Sequence, residues 1–557
     1  MRTTTSTRMS TWAALLVLLI LVAAPLLAVL INAVTGYRGE PSALGNLADP
    51  AMVRIIANTV WLSFLVVVFT TLFAAPLAFL RSWTQFSKIE WLELLIMVPF
   101  MTPPFAVAMA WMDFTRVRGL TYMLLGPAAG EVVHDFIYSV WGMAFVMAAE
   151  LFPFLYLIMR NSLRSIPASL IEMAEVSGAS KLRILVKVIL PMVVGPYSLG
   201  ALIVFIKAAG EFGTPITLGN AIGYQVLVSS IYEDVTIAPL NFSEAAASSS
   251  VLFTLGVTAW AFQQWVSRKD LTSGGRLSRP IHLRLRGLQA LCGWLTIATI
   301  TALSVFIPYI SITLSAMTIL RSKPPSPYNL TFDYFGKVLS HPIARDALTT
   351  SAILGALAAT CTAFLAVVIT LSSFKRRSPS ARVTDFLSVA PDTVPGIVLA
   401  IGFILLWNNP DLPWSPYGTY FILLLAYTTL FLPTAIQNVK TSAAAIPNSL
   451  RDAGAVSGAT TWHILWRITL PLMAPGIFAG WLLAFLVGIR ELVMSSLVRP
   501  TNINLMSPWI MNAFEQGDRA EAMAMTLIGV GSSTIVMVAL LAWQAHRNHR
   551  LSALTSA

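Results

Sequence analysis

Apolar stretches of membrane-crossing length recur along this whole chain, and they leave few folds open. A helix needs ~20 apolar residues to cross a ~30 Å hydrocarbon core, and only helices or closed barrels satisfy the backbone there. Of the 557 residues, 56% are hydrophobic and 11% charged; soluble domains carry about a quarter of their residues as charges. The chain therefore reads as an all-α polytopic membrane protein. In the first half, spans are expected near 11–34, 57–80, 91–112, 138–160, 190–218 and 244–266. In the second they fall near 289–319, 347–374, 384–408, 418–438, 470–498 and 521–543. That makes about twelve transmembrane helices, six per half.

The halves share a sentence. Pro167-Ala-Ser-Leu-Ile-Glu172-Met173-Ala174-Glu-Val-Ser-Gly178-Ala179 continues to Val188-Ile-Leu190-Pro191. Pro447-Asn-Ser-Leu-Arg-Asp452-Ala453-Gly454-Ala-Val-Ser-Gly458-Ala459 continues to Ile468-Thr-Leu470-Pro471, 280 residues on and without a gap. Agreement of this length marks a tandem duplication. An even number of spans per half makes the halves parallel repeats: the first over 1–266 with its loop at 161–190, the second over 288–557 with its loop at 441–470. Between them, 267–287 carries Arg268, Lys269, Arg276, Arg279, Arg284 and Arg286 around Gly274 and Gly275, as a basic cytoplasmic linker would.

Charge sets the sidedness. The net charge of +11 would suggest nucleic acid in a soluble protein, but here it is spread as membrane topology demands, and no nucleic-acid partner is expected. Roughly two thirds of the lysines and arginines fall on one side, as cytoplasmic loops require. Arg160, Arg164, Lys181, Arg183 and Lys187 flank the first repeated loop, Lys440, Arg451 and Arg467 the second, and Lys375, Arg376 and Arg377 close another inside loop. Asp113, Glu131, Asp135, Glu233, Asp234, Asp411 and Asp518 mark the outside. Arg2 and Arg8 precede an apolar run longer than a signal-peptide core. That run is read as a retained first span, with both chain termini in the cytoplasm. Cys292 and Cys361 lie in apolar stretches without metal-ligand spacing and are expected to pack in the interior.

Within each repeated loop, Pro167 or Pro447 suits the start of a short helix, and Glu172 or Asp452 is expected in its first turn, where a carboxylate complements the dipole. Gly178 or Gly458 allows a left-handed cap. Pro191 or Pro471 then marks the start of the next span. The small residues Ala174, Ala179, Gly454 and Ala459 permit close approach by another surface. An interfacial lipid-lying helix needs no such pattern, so the loops read as docking elements.

The pattern Glu-Ala-Ala, three residues, Gly, nine residues, Ile-x-Leu-Pro resembles the coupling-loop signature of permease subunits of bacterial ATP-binding-cassette importers. Copy one reads Glu172-Met173-Ala174, Gly178, Val188-x-Leu190-Pro191; copy two reads Asp452-Ala453-Gly454, Gly458, Ile468-x-Leu470-Pro471. The departures, Met173, Val188, Asp452 and Gly454, conserve charge or size. A fused chain of this kind resembles the ferric-iron, thiamine and 2-aminoethylphosphonate branch. The resemblance implies the type I importer permease fold in a bacterial inner membrane. It also implies a cytoplasmic ATPase dimer gripping both loops, a periplasmic solute-binding protein, and alternating access by rocking of the halves. No cofactor is expected on this chain, with ATP-Mg held by the partner. The sequence agrees: it has no Gly-x-x-x-x-Gly-Lys-[Ser/Thr] phosphate loop, the nearest fragment being Gly336-Lys337-Val338.

Charges at span depth cost about 2.5–3.5 kcal/mol or more unless sheltered. Glu211 and Glu491 match under the same offset, with Lys207 and Arg490 beside them. They read either as lining a path between the halves or as bracing helix ends. Pro99 and Pro103, with Pro391 and Pro395, break spans three and nine, as a cavity wall or as a fixed kink. Asp392 has no acidic counterpart at Phe100. The methionines, Met101, Met109 and Met112 among them, suit adaptable packing, and the chain itself presents no metal site. A secondary transporter of two parallel halves is the competing class, but its basic loops would sit between early spans. An enzyme would gather acid, His or Cys groups near one interface. The wording Glu211-Phe-Gly213-Thr-Pro215 resembles that of the iron-type branch, a resemblance that implies ferric iron as cargo; 2-aminoethylphosphonate, thiamine and polyamine stay open.

Overall fold

The computed structural model describes residues 11–267, 281, 283–323, 326–373 and 378–555. Most of the expected linker, including Arg268, Lys269, Gly274, Gly275, Arg276 and Arg279, lies outside them, as do Lys375, Arg376 and Arg377, and Arg2 and Arg8. Among the described residues regular structure is helical, apart from two isolated bridges, Thr84 with Leu283 and Thr318 with Leu330. Among the described residues, ten unbroken helices are long and apolar enough to span. In chain order they are Thr11–Thr35, Pro50–Trp83, Val140–Ser165, Lys181–Ala209, Phe242–Val266, Leu288–Met317, Pro342–Ser372, Tyr420–Ala444, Thr461–Ile489 and Arg519–Leu540. Two bent pairs complete twelve: Glu90–Met101 with Pro104–Phe114 at 95°, and Pro379–Thr393 with Gly396–Trp407 at 111°. These are spans three and nine, and each bend falls at the second proline of its pair.

Spans five and eleven begin and end about nine residues earlier than the sequence suggests. Pro191 and Pro471 do not open them. The helices run through both prolines because a five-residue π segment precedes each, Leu185–Ile189 and Leu465–Thr469. Leu190 donates its N–H to the Leu185 carbonyl, five residues back, and Leu470 does the same to Leu465. The wider turn makes room for a ring that would strike the carbonyl four residues earlier. Pro25 and Pro308 are preceded likewise, by π segments Leu19–Ala23 and Ala302–Phe306. The same device recurs at matching places in both halves.

Two compact units form, and they do not follow the order of the chain. One comprises 1–43, 235–250 and 333–557; the other, 44–234 and 251–332. The opening span of each half is thus packed in the unit built mainly from the other half. In the first unit, span one lies along the Gly396–Trp407 limb of span nine. A Cβ on Gly402 would stand 2.5 Å from the Pro25 carbonyl oxygen, so only glycine fits. Tyr37 then donates its hydroxyl to the Asn408 carbonyl (3.2 Å) and its N–H to Ser243 (2.9 Å). In the second unit, span seven lies along the Pro104–Phe114 limb of span three. Ser311 donates to the Ala110 carbonyl (2.7 Å), and Ser315 (2.6 Å) and Arg321 both donate to Asp113. Asp113, expected in an outside loop, is buried at the end of that limb, where the guanidinium compensates its desolvation.

The cysteines depart from expectation. Cys292 is exposed and Cys361 half-buried. In a membrane protein an apolar side chain has lipid as well as core to face, so an apolar neighbourhood does not imply an interior position. Gly402→Val should unseat span one, costing about 1–3 kcal/mol through overpacking. Thermal unfolding in detergent checks this, against Gly396→Ala, whose Cβ would meet only Leu430 at 3.7 Å and should leave stability unchanged.

Candidate functional site

Span four leaves the apolar region as an unbroken helix ending at Ser165, and two residues later the chain turns at Pro167, in extended backbone (φ −66°, ψ 131°). The short helix Ala168–Val176 follows. Span ten and Pro447 (φ −61°, ψ 138°) lead in the same way into Asn448–Val456. The prolines stand just before the helices, at the N-cap, rather than inside the first turn. Glu172 and Asp452 accordingly fall at the fifth helical residue, and neither first turn holds an acid. Their carboxylates therefore do not complement the dipole at the N-terminus, where the effect is concentrated.

The C-termini obey the glycine. Gly178 has φ +78° and Gly458 φ +80°. In copy one Ala179 donates to the Ala174 carbonyl (3.0 Å) and Gly178 to Glu175 (2.9 Å); in copy two Ala459 donates to Gly454 (3.0 Å) and Gly458 to Ala455 (3.0 Å). This six-to-one and five-to-two pair is a Schellman cap, reproduced in both repeats. A new helix then starts under a hydroxyl cap, Ser180 accepting from the Arg183 N–H and Thr460 from the His463 N–H. Sequence reasoning overlooked both caps, although Ser or Thr just before a helical run is a recognised start signal.

Small residues at 174 and 454 have a local cause. A Cβ on Gly454 would lie 3.0 Å from Ile468 Cδ1 and 3.2 Å from Ile464 Cγ1, so the short helix is folded back onto the one that follows. Copy one carries Ala174 and Val188 at the equivalent positions: the methyl has moved from one side to the other, conserving volume. The outer face stays open. No residue of either short helix is buried. Val176 is 89% exposed and Val456 90% exposed, at matching positions.

Glu211 and Glu491 stand where spans five and eleven stop. Span five ends at Ala209, and Glu211 accepts from the N–H groups of Gly213 (2.7 Å) and Thr214 (3.0 Å) as the chain restarts as helix. Glu491 accepts from Met494 (3.0 Å) and Ser495 (2.9 Å) ahead of Val493–Leu497. Each carboxylate thus caps backbone donors that nothing else at that depth would satisfy. A Cβ on Gly213 would come within 2.6 Å of the Phe105 backbone nitrogen, so the restart of span five is packed on the restart of span three. Lys207 places its ammonium over the Phe154 ring (5.0 Å), and Arg490 closes span eleven. Pro103 and Pro395 each precede the second limb of a broken span, and Asp392 is exposed near the end of the first limb of span nine.

Two stretches, 88–269 and 349–552, match the family described as binding-protein-dependent transport system inner membrane component. The chain belongs to that family. Each matched stretch holds a broken span, a short Schellman-capped helix and a glutamate-capped break, so this fused inner membrane component carries the family unit twice. It is a multi-pass inner-membrane permease component of a transport system. Among its relatives, the ferric transport system permease protein FbpB of Actinobacillus pleuropneumoniae is 22% identical over 506 residues, covering 89% of this chain and 71% of the relative. The putative ferric transport system permease protein FbpB 1 of Haemophilus influenzae is 24% identical over 448 residues, covering 79% and 69%. The putative 2-aminoethylphosphonate transport system permease protein PhnV of Salmonella typhimurium is 24% identical over 218 residues, 38% of this chain and 80% of the relative. The capping geometry makes a prediction about the paired acids. Glu211→Ala and Glu491→Ala should each cost about 0.5–2 kcal/mol, while Gln, which keeps an accepting oxygen, should retain most stability and uptake. Uptake lost equally in the Gln and Ala variants, with folding intact, would point to the charge itself.

Proposed function

We propose that this chain is the transmembrane permease subunit of an ATP-driven importer, two permease parts fused end to end as repeats 1–266 and 288–557 around a basic linker. A cytoplasmic ATP-binding-cassette dimer holding ATP-Mg grips the helices bounded by Pro167 and Gly178 and by Pro447 and Gly458. A periplasmic solute-binding protein delivers the cargo, and both chain termini lie in the cytoplasm. The observation that carries this reading is the matched pair of short, Schellman-capped helices, each ending in a valine that the chain itself leaves uncovered. Two identical knobs suit a two-fold partner.

Ferric iron is the proposed cargo, supported by similarity to ferric transport permeases over most of the chain. A 2-aminoethylphosphonate cargo is the second reading, supported over a shorter stretch. The breaks at Pro103 and Pro395, with Glu211, Glu491, Lys207, Arg490 and Asp392, are proposed to border the path. Both glutamates spend their oxygens on backbone N–H groups, and no trio of His, Cys, Asp or Glu gathers among the described residues. Such a path holds its cargo weakly, as rapid passage requires, and leaves selectivity to the binding protein.

Burying a valine contributes about 1.5–3 kcal/mol. Replacing both knobs, Val176→Asp with Val456→Asp, should weaken ATPase binding by at least about a hundred-fold and abolish uptake, with the folded chain unaffected because neither side chain packs within it. Co-purification of the ATPase with the detergent-solubilised chain tests this; undiminished capture would contradict the docking assignment.

A further inference from the structure

Each docking helix hangs from a stem, and in both repeats the stem is clamped by an acid from the broken span. Arg160 and Lys440 stand seven residues before Pro167 and Pro447, about two helical turns up spans four and ten. Glu93 and Asp385 stand six residues before Pro99 and Pro391, on the first limbs of spans three and nine. The structure pairs them: Arg160 with Glu93 at 2.7 Å, Lys440 with Asp385 at 2.9 Å. The two pairs are equivalent by register and reverse neither sign nor partner. Chance would not place an ion pair twice at corresponding points of diverged repeats, one Arg–Glu and the other Lys–Asp.

Their strength differs. Glu93 also receives Arg81 at 2.9 Å and the Tyr156 hydroxyl at 2.9 Å, and Arg81 donates in turn to the Ile89 carbonyl at 2.9 Å. Arg81, from the end of span two, is almost wholly buried, so the first clamp is a four-group network joining spans two, three and four. The second clamp is a more exposed Lys–Asp pair between spans nine and ten.

We propose that these pairs are positioning elements that carry the docking helix's displacement into the break of the neighbouring span. The inference rests on the docking reading above. Span four or ten is an unbroken helix between the clamp and the docking loop, and the limb bearing the acid runs straight to the bend at Pro103 or Pro395. A push on the loop therefore moves the stem, the clamp moves the limb, and the angle at the proline changes. Without the clamp the limb can slide along the stem, and the push ends there. Neither pair is needed to hold the ATPase, since neither lies on the docking helix.

The second repeat allows a direct test, because its Lys–Asp pair can be inverted. In the full chain with its ATPase bound and Cys292 and Cys361 replaced by serine, spin labels at Val383 and Trp414, both exposed, flank the bend in span nine. The distance between them is measured without nucleotide and with ATP and vanadate. The unmutated pair should show a nucleotide-dependent shift. Asp385→Lys alone and Lys440→Asp alone should lose at least half of it while the ATPase still co-purifies, and the double swap should restore it. Glu93→Gln, read by the corresponding labels at Leu94 and Val117, should reduce the shift across the bend in span three. Full shifts in the single variants, or failure of the swap to restore a folded, ATPase-bearing chain's shift, would overturn the clamp's role. An ATPase that never binds the unmutated chain would instead overturn the docking reading.

Discussion

A bilayer offers the peptide group no hydrogen-bonding partner, and among the described residues the interruptions of the spanning helices are shaped by that lack. Where spans five and eleven stop, Glu211 and Glu491 turn their carboxylates onto the N–H groups of the next helix. Where Pro25, Pro191, Pro308 and Pro471 fall in spans one, five, seven and eleven, a π segment absorbs each without breaking the rod. Among the described residues spans three and nine break sharply, and there the second limb restarts directly behind a proline whose missing N–H would have been an orphan anyway. Costly groups at span depth are therefore doing backbone work first. Any role for them in passage has to be compatible with that.

The duplication is kept where geometry must match and relaxed where it need not. Both short loop helices keep the Schellman glycine, the hydroxyl cap of the next helix and an exposed valine. The inward contact is allowed to drift, Ala174 and Val188 against Gly454 and Ile468, as long as the volume is conserved. The clamp on the stem drifts further, from a four-group network around Glu93 to a more exposed Lys–Asp pair. The opening spans are exchanged between units, so each compact unit contains helices from both ends of the duplication. A hydrogen bond or close backbone contact secures each exchange, at Asn408 and Gly402 in one unit and at Ala110 in the other.

Local features were legible from the residues; the rest needed packing. The helical class, the twelve apolar stretches, the proline breaks of spans three and nine and the glycine ends of the short loop helices follow from composition, period and the φ that glycine permits. Pro191 and Pro471 misled, because the sequence shows the proline but not the widened turn that accommodates it. The same shift took Glu211 and Glu491 from mid-span to helix restarts. Glu172 and Asp452 were placed a turn too early, since a proline at the N-cap and one inside the first turn look alike in sequence. The exchange of opening spans is a tertiary fact with no local signature, and Cys292 and Cys361 fell to the ambiguity between lipid and core. The ion pairs of the stem could have been found: their spacing from the flanking prolines is the same in both repeats.

The proposed transport cycle requires both short loop helices to meet one ATPase from the cytoplasmic side. The direct measurement is photo-crosslinking from single cysteines at positions 176 and 456, in a background lacking Cys292 and Cys361, in sealed inside-out vesicles with the ATPase added outside. Crosslinks from both positions to the ATPase, blocked by a membrane-impermeant thiol reagent on that same side, are predicted. Either position reacting only with reagent on the opposite face, or crosslinking from one repeat alone, would contradict it.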